Sequence, residues 1–471
     1  MARSIIPRVN PPDYKSCRAQ IFFITWLAYV GFYLTRKAFS VAKIELQKEE
    51  VWGISKVTMG NIDLAYLVAY AIGQFIWGIT ADRVGTRRVV LTGMLVSIVM
   101  AFVAGASTIT VLLGVVLFIQ GLAQSTGWAP LTKNIGNFFG RRERGRVMGF
   151  WCSNYAVGGL IASTYAGWAA QHFGDWRYAF WVPAATLLGI WILFIILQRD
   201  KPEDFSVSFP GSVDDFSRPQ ANPGSPSETT VADTPVISPY RNPVVIHLAA
   251  VYFFLKPTRY MILFWSPLYL NEKLNTGIAE SGFLSGMFEL AGPLGVICGG
   301  FLSDLVFRSR RMPVCVIFFL LLAVLLFLFN GLPATRLAMG MGLLGIGFLL
   351  FAPDSLISAT AAIDFGTQKG AGTAAGLING VGSIGAAVGG YLPALLTSDD
   401  NVTDWDMVFR ILACFVLAAG LLLIPLWNTV PKEDPGPKTI DDSNELFKYW
   451  PNDVGDSGPK TIDDSIPPNR E

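Results

Sequence analysis

Charged residues are scarce in this chain of 471 residues. They make up 15% of it, whereas an ordinary soluble domain carries about a quarter. Apolar residues account for 52%, and the mean hydropathy is +0.45. The formal net charge of +1 supplies no basic excess, so no nucleic-acid partner is expected. This much apolar surface with so little charge indicates a protein whose partner is a lipid bilayer.

Cysteine and histidine are also scarce. The five cysteines are odd in number and contain no CxxC pair, so neither a disulfide framework nor a zinc site is predicted. The two histidines, His172 and His247, are far apart and belong to no ligand motif. The sequence shows no nucleophile–base pair, metal cluster or nucleotide-binding loop. We therefore expect neither an enzyme nor a bound cofactor.

Long apolar segments, in contrast, are abundant, and each is about the length that crosses a bilayer core of roughly 30 Å. Twelve are predicted, at residues 19–43, 58–80, 87–107, 110–136, 147–170, 176–198, 243–271, 277–303, 313–331, 335–362, 370–397 and 404–429. A run rich in proline and serine separates the first six from the last six. The predicted organisation is a six-helix half at 1–198, a disordered linker at 199–242, a second half at 243–430 and a disordered tail at 431–471.

Arginine is concentrated in the loops after the second, fourth and eighth predicted spans. These loops contain Arg83, Arg87, Arg88, Arg141, Arg142, Arg144, Arg146, Arg308, Arg310 and Arg311. Positively charged short loops stay on the cytoplasmic side, so both termini and the linker are predicted to be cytoplasmic. We expect a monomer in a bacterial inner membrane, although the glycosylation sequon at Asn401 leaves a eukaryotic origin open.

The two halves resemble each other at a nearly constant offset. The matches are Tyr29, Thr35 and Arg36 with Tyr252, Thr258 and Arg259; Gly78, Asp82 and Arg87 with Gly300, Asp304 and Arg308; Ala129–Pro130 with Ala352–Pro353; and Gly145, Gly149 and Gly158 with Gly372, Gly376 and Gly385. An ordered set of this kind indicates duplication. The predicted fold class is an all-α membrane protein of twelve transmembrane helices, built as two halves in parallel repeat, which is the major facilitator architecture.

One loop carries a more specific signal for that superfamily. The second span ends GITADRVGTRR, which resembles the conserved loop motif of the major facilitator superfamily. Asp82 can pair with an arginine or cap a helix, while Arg83 and Arg87 hold the loop in the cytoplasm. Asp304 is the counterpart of Asp82 in the second half. This motif predicts gating and topology and says nothing about substrate.

Arginine also occurs inside two equivalent spans. Arg36 lies near Tyr29, Tyr33 and Lys37, and Arg259 shares its helix with Tyr252 and Lys256. Parallel halves would bring the two arginines to opposite walls of one central cavity, with no acid evident nearby. Their forked donors match phosphate bidentately, as lysine does not. The alternative is that Arg36 and Lys37 reach a membrane interface by snorkelling.

Three acids fall within the predicted spans, at Asp63, Glu289 and Asp354. Intramembrane ionisable residues are functional candidates by default. Lys133 has nearly the same depth in the first half as Asp354 in the second, so the two are predicted to pair. A proton-relay role for any of the three acids remains an alternative to structural pairing.

The segments YLTRKAF, GWAP, TRYMILFWSPLYL and KGAGTAAG resemble the organophosphate:phosphate antiporters of the major facilitator superfamily. That resemblance implies phosphate binding by Arg36 and Arg259, with Tyr29, Tyr33, Lys37 and Trp128 around the pore and Glu289 bridging the halves. The chain departs from the glycerol-phosphate members at four pore positions, where it has Gln74, Tyr155, Lys256 and Phe264. The last change removes the acid that would partner Lys37.

The expected function is therefore exchange of a small organic phosphate, such as glycerol-3-phosphate or a hexose-6-phosphate, for inorganic phosphate by alternating access. Two alternatives remain open. One is a membrane receptor that senses a sugar phosphate, and the other is a proton-coupled facilitator of another organic anion.

Overall fold

The computed structural model describes residues 14–48, 50–139, 147–148, 150–205, 241–307, 310–361 and 371–429. Within these ranges the chain is helical, apart from turns and one isolated β-bridge between Thr397 and Thr403. The predicted linker and tail lie almost wholly outside the described residues.

Within the described residues, the first half contains six helices, two of them interrupted. They are α1 (Tyr14–Arg36, resuming after Lys37 as Ala38–Leu46), α2 (Lys56–Val84), α3 (Thr86–Ala106), α4 (Thr110–Gln124, resuming as Trp128–Phe138), α5 (Ser153–Phe173) and α6 (Tyr178–Leu197).

The second half repeats this arrangement. Its helices are α7 (Pro243–Leu274), α8 (Ile278–Leu290, resuming as Gly292–Leu305), α9 (Arg311–Phe329), α10 (Arg336–Ser355, continuing as the π-helix Leu356–Ala361), α11 (Ala371–Leu395) and α12 (Trp405–Leu423). Each of the twelve predicted spans corresponds to one of these helices, which confirms the predicted fold class.

Large apolar side chains remain exposed on the outer faces of the helices, as expected where the surroundings are lipid. Examples lie on α3, α4, α6, α9 and α12: Val99, Val115, Ile192, Leu321, Phe327 and Leu421. Eight helices in the described residues are long and apolar enough to span a membrane by length and composition. The other four, α2, α5, α7 and α11, all contact the opposite half.

The two halves approach each other closely where α5 packs on α8. A Cβ atom added to Gly282 of α8 would lie 2.5 Å from the carbonyl oxygen of Ser163, and one added to Gly167 of α5 would lie 2.8 Å from that of Ile278. Small residues of this kind let helix backbones meet in a membrane.

The repeat is visible in the packing as well as in the sequence. Gly158 of α5 lies against the backbone of α1 at Val30, and its counterpart Gly385 of α11 lies against the backbone of α7 at Phe253. Matched glycines therefore seat the fifth helix of each half on the first.

The arginine-rich loop between α2 and α3 is anchored to the end of α6. Gly85 has φ of 92°, a conformation that favours glycine. In the turn that follows, the Arg87 amide donates to Asp200 Oδ1 at 2.7 Å. The Arg87 guanidinium also donates to the Ile195 carbonyl, whereas Arg83 is exposed. The predicted roles of the Asp82 and Asp304 side chains, and of Arg308 and the arginines at 141–146, fall outside the described residues.

Candidate functional site

Arg36 is the last residue before the break in α1, and its side chain is buried without a carboxylate partner among the described residues. Its Nε donates to Gln124 Oε1 at 3.1 Å, and the same oxygen accepts from the Tyr66 hydroxyl at 2.7 Å. The rings of Tyr33 and Tyr70 lie 4.5 and 4.9 Å from the guanidinium carbon. Its Nη2 is buried and has no hydrogen-bond partner in the described part of the chain. A buried donor of this kind is open to an anionic ligand.

Arg259 of α7 has a different environment because an acid lies beside it. Its Nη1 donates to Asp354 Oδ2 at 2.5 Å, and Lys256 Nζ lies 3.7 Å from Oδ1 of the same carboxylate. The Tyr252 hydroxyl donates to Oδ1 at 2.9 Å. The expectation that neither arginine has a nearby acid is therefore wrong for Arg259. Even so, the Arg259 side chain is 12% exposed.

The predicted Lys133–Asp354 pair is wrong. Both Asp354 oxygens are held within the second half, as just described, and Asp354 is almost completely buried there. Lys133 is exposed, and its Nζ lies 3.4 Å from the Ala81 carbonyl. Equivalent depth in two halves does not imply proximity, because the two helices turn these residues toward different neighbours.

Four predicted pore aromatics do gather in one cluster. Ring centroids lie 5.7 Å apart for Tyr29 and Tyr33, 5.3 Å for Tyr29 and Trp128, and 6.3 Å for Trp128 and Tyr155. Trp151 completes the cluster, 5.8 Å from Tyr29. These rings form an amphipathic wall with tyrosine hydroxyls as neutral donors, whereas the Trp151 ring nitrogen already donates to Thr25 Oγ1 at 3.0 Å.

Both arginines face the space beside this cluster. The Arg36 guanidinium lies over the Tyr33 ring of this cluster, and the Arg259 guanidinium lies over the Tyr155 ring. Tyr155 stacks on Phe351 at 5.8 Å, and the Arg259 guanidinium carbon lies 4.9 Å from each of these two rings. Helix interruptions surround this space, at residue 37 in α1, at 125–127 in α4 and at the π-helix of α10. Broken helices are where facilitators commonly bind substrate.

Two other predicted site residues lie away from the two arginines. Lys37 is fully buried, and its Nζ lies 3.2 Å from Glu289 Oε1. This pair bridges α1 and α8, which is the role that the resemblance implies for Glu289. Lys37 therefore faces a protein carboxylate. Gln74 is half-buried in α2 and makes no hydrogen bond within the described residues.

A second contact between the halves joins α1 to two backbone carbonyls of α7. Lys37 Nζ and Ser40 Oγ donate to the Leu263 carbonyl at 3.0 and 3.2 Å, and Lys43 Nζ donates to the Phe264 carbonyl at 3.1 Å. We call these five residues the carbonyl latch. Its donors lie three residues apart, so they share one face of the helix.

Pro267 accounts for one of the two acceptors of the latch, the Leu263 carbonyl. In an α-helix the Leu263 carbonyl would accept from the amide of residue 267, and proline has no amide hydrogen. The carbonyl is therefore free inside the membrane, where an unsatisfied acceptor is costly, and the side chains of Lys37 and Ser40 satisfy it.

Ion pairs lie in the same region and beside it. Lys43 is ion-paired with Asp63 of α2, and its Nζ lies 3.8 Å from the Trp265 ring centroid. Nearer the α1–α2 loop, Lys56 Nζ lies 2.8 Å from Glu272 Oε1 and its amide donates to Asn401 Oδ1 at 2.7 Å. The halves are thus joined on the face opposite the arginine-rich loops.

A small cavity of about 10 Å³ lies between Arg36 and the latch, lined by Arg36, Phe39, Ser40, Ile62, Asp63, Tyr66, Leu117, Gln120 and Phe264. That volume holds about one water molecule. Gln120 is 1% exposed, and neither polar atom of its side chain has a partner in the described chain. Passage of a metabolite beyond Arg36 therefore requires the latch to open.

Replacing Pro267 with alanine is expected to favour this opening. The restored amide would compete with Lys37 and Ser40 for the Leu263 carbonyl. In a cysteine-free background carrying Gln120→Cys, the change should speed labelling by a membrane-impermeant maleimide, added at the face opposite the arginine loops. We expect about a fivefold increase, the equivalent of one hydrogen bond of about 1 kcal/mol.

Pro257→Ala is the matched control for that experiment. Pro257 also lies inside α7, but the carbonyl that it frees, at Phe253, packs against Gly385 of its own half. Its labelling rate should stay close to that of the parent. Equal acceleration by both substitutions would show that helix repair, and not the latch, controls access.

Several residues of the site were not anticipated from the sequence. They are Gln124, Tyr66, Tyr70 and Tyr260 around the arginines and Lys43 in the latch. The sequence feature that could have identified them is a polar residue within an apolar run: Gln124 ends such a run, and Lys43 is an ionisable residue in a span. Spacing alone could not show that these polar positions share one side of the bundle.

Comparison with known proteins agrees with this architecture. The family model described as Major Facilitator Superfamily matches residues 22–390. The glucose-6-phosphate exchanger SLC37A2 of Mus musculus is 30% identical over 90% of this chain and 96% of its own length. The glycerol-3-phosphate transporter of Bacillus subtilis (strain 168) is 30% identical over 88% of this chain and 94% of its own length.

Among solved structures, a bacterial homologue of the human lysosomal transporter Spinster, in an inward-facing and unoccupied conformation, superimposes with a TM-score of 0.64. It covers 88% of this chain and 96% of that one at 12% identity, so it supports the fold alone. The family match and the two relatives go further: this chain is a member of the major facilitator superfamily and, within it, of the organophosphate:phosphate antiporter family.

Proposed function

We propose that this protein exchanges a small organic phosphate, such as glycerol-3-phosphate or a hexose-6-phosphate, for inorganic phosphate by alternating access. The observation that carries the proposal is Arg36, a buried guanidinium with an unpartnered Nη2 and no carboxylate in ion-pair contact with it among the described residues. The names of the relatives point to the same substrate class.

Phosphate would bind between Arg36 and Arg259, with neutral hydroxyls of Tyr29 and Tyr33 around it. Only Nη1 of Arg259 donates a hydrogen bond within the described chain, so its other donors remain for a second anion beside Asp354. Binding across the two walls neutralises like charges that otherwise repel. The halves can then rock together, break the carbonyl latch and reopen on the other face.

The empty carrier switches slowly under this mechanism, because Arg36 keeps a buried charge with no counter-ion. Exchange is therefore expected to be obligatory. Purified protein in vesicles loaded with phosphate or glycerol-3-phosphate should take up labelled phosphate, and empty vesicles should not. Equal uptake into empty vesicles would contradict exchange.

The same vesicles separate the alternatives. Uptake into empty vesicles that follows an imposed pH gradient and ignores phosphate would indicate a proton-coupled facilitator. Saturable phosphate binding without any counterflow would indicate a receptor. A competition panel of glycerol-3-phosphate, glucose-6-phosphate and phosphoenolpyruvate against labelled phosphate then ranks the organic substrates.

We further propose a monomer in a bacterial inner membrane with both termini cytoplasmic. Support for this orientation comes from the arginines at one end of the helices, among them Arg83, Arg87, Arg88, Arg310 and Arg311. The carbonyl latch would then close the extracytoplasmic face.

A further inference from the structure

The two walls of the candidate site carry unequal charge. The first half contributes Arg36, which has no acid beside it in the described residues. The second half contributes Arg259 and Lys256, both in ion-pair contact with the Asp354 carboxylate, at 2.5 and 3.7 Å. Lys256 and Asp354 therefore add a matched positive and negative charge to a site that two arginines would suffice to form.

The net charge of the site follows from its ion pairs. Lys37 is balanced by Glu289 and Lys43 by Asp63, and all four side chains are buried. What remains is three cations, Arg36, Arg259 and Lys256, and one anion, Asp354. The described site thus carries two net positive charges. A phosphate monoester has a second pKa of about 6, so it carries nearly two negative charges at pH 7.

We propose that Asp354 is a specificity-determining residue that restricts the site to phosphate esters of neutral sugars or polyols and disfavours phosphorylated carboxylic acids. The inference rests on the proposed function and names the substrate class more narrowly. A ligand with two negative charges matches the site, and a third leaves one charge uncompensated in a water-poor interior.

The geometry gives a reason for this discrimination. Lys256 is the cation left to receive a substrate carboxylate, and Asp354 already lies beside its ammonium group. Asp354 is 3% exposed and accepts from both Tyr252 and Arg259, so it is fixed in place. A substrate carboxylate at Lys256 would therefore meet the Asp354 carboxylate, and juxtaposed like charges are strongly unfavourable.

Two ligands that differ in this feature alone provide the test. 3-Phosphoglycerate has a carboxylate where glycerol-3-phosphate has a neutral hydroxymethyl group. Each is titrated at pH 7 against exchange of labelled inorganic phosphate by the full-length protein in phosphate-loaded vesicles. The wild type should need about tenfold or more of the carboxylated ligand for half-inhibition, which corresponds to a repulsion of about 1.4 kcal/mol. Equal inhibition would overturn the proposal.

Charge variants of the same protein then assign the preference to Asp354. Asp354→Asn keeps the shape of the side chain and removes its negative charge, so the preference for glycerol-3-phosphate over 3-phosphoglycerate should shrink several-fold or reverse. Lys256→Gln removes a positive charge and should increase that preference. The double variant, Asp354→Asn with Lys256→Gln, restores two net charges and should return the preference to near the wild-type value.

The failure of this inference is distinguishable from failure of the proposed function. If the wild type exchanges no phosphate, the antiporter assignment falls. If it exchanges phosphate and the preference is the same in all variants, the assignment stands and the role of Asp354 falls. Should Asp354→Asn fail to fold, an unchanged preference in Lys256→Gln would overturn the proposal by itself.

Discussion

Replacing Arg36 with lysine is expected to reduce phosphate exchange by about 100-fold, although the charge is preserved. The Arg36 Nε is committed to Gln124 and its Nη2 is free, and a lysine ammonium does not reproduce this fork. Hydrogen bonds to charged groups contribute about 1.5–3 kcal/mol each, so losing one or two gives that factor. The measurement is the initial rate of labelled phosphate uptake into phosphate-loaded vesicles.

The control for this variant is Arg410→Lys on α12. Arg410 has a side chain that is 54% exposed and pairs with Asp406 one helical turn away, so its replacement should leave the uptake rate near that of the wild type. Near-normal uptake by Arg36→Lys would show that charge alone is sufficient at this position, and the argument from bidentate geometry would then fail.

Replacing Lys43 with methionine is expected to lower the stability of the folded protein by about 3–5 kcal/mol, the usual cost of leaving one member of a buried ion pair alone. The side chains of Lys43 and Asp63 are 0% and 5% exposed, so Asp63 would have little access to water to replace the lost ammonium group. The loss should appear as a lower unfolding temperature in detergent and a smaller yield of monodisperse protein.

A second substitution tests the cause. Asp63→Asn added to Lys43→Met removes the stranded charge and should recover most of the lost stability. The recovery should be incomplete, because the Phe264 carbonyl still lacks its donor. Lys48→Met, which removes the surface pair of Lys48 with Glu45, should cost no more than about 1 kcal/mol. If Lys43→Met is as stable as Lys48→Met, the buried pair has little structural importance.

Much of the fold could be predicted from the sequence. The twelve spans follow from segment length and hydropathy, since a chain that must cross roughly 30 Å of hydrocarbon as helix needs about 20 apolar residues each time. Glycines at a fixed offset, such as Gly158 and Gly385, indicated duplication, and in the structure these two make equivalent helix contacts in the two halves.

The candidate site was harder to predict, and the errors share one cause. Arg36 and Arg259 could be recognised because an ionisable residue in a span is unusual and these two occupy equivalent positions. The partner of each could not be recognised. Asp354 was predicted to pair with Lys133 on the basis of depth alone, whereas in the structure it pairs with Arg259 and Lys256.

The carbonyl latch, likewise, could be predicted only in part from the sequence. Pro267 is plain in the sequence, and it implies a free carbonyl at Leu263. That Lys37 and Ser40 satisfy this carbonyl depends on the approach of α1 to α7, two helices more than 200 residues apart along the chain.

The number of helices, their duplication and the presence of two intramembrane arginines are predictable from the sequence, because hydropathy and spacing are local properties of the chain. The ion pairs of the site are not predictable in this way: in the described residues Arg36 is in ion-pair contact with no acid, while Arg259 pairs with Asp354. The charge of a buried site depends on which faces of distant helices meet, and rotating one helix by a single residue would turn each of its side chains toward a different neighbour.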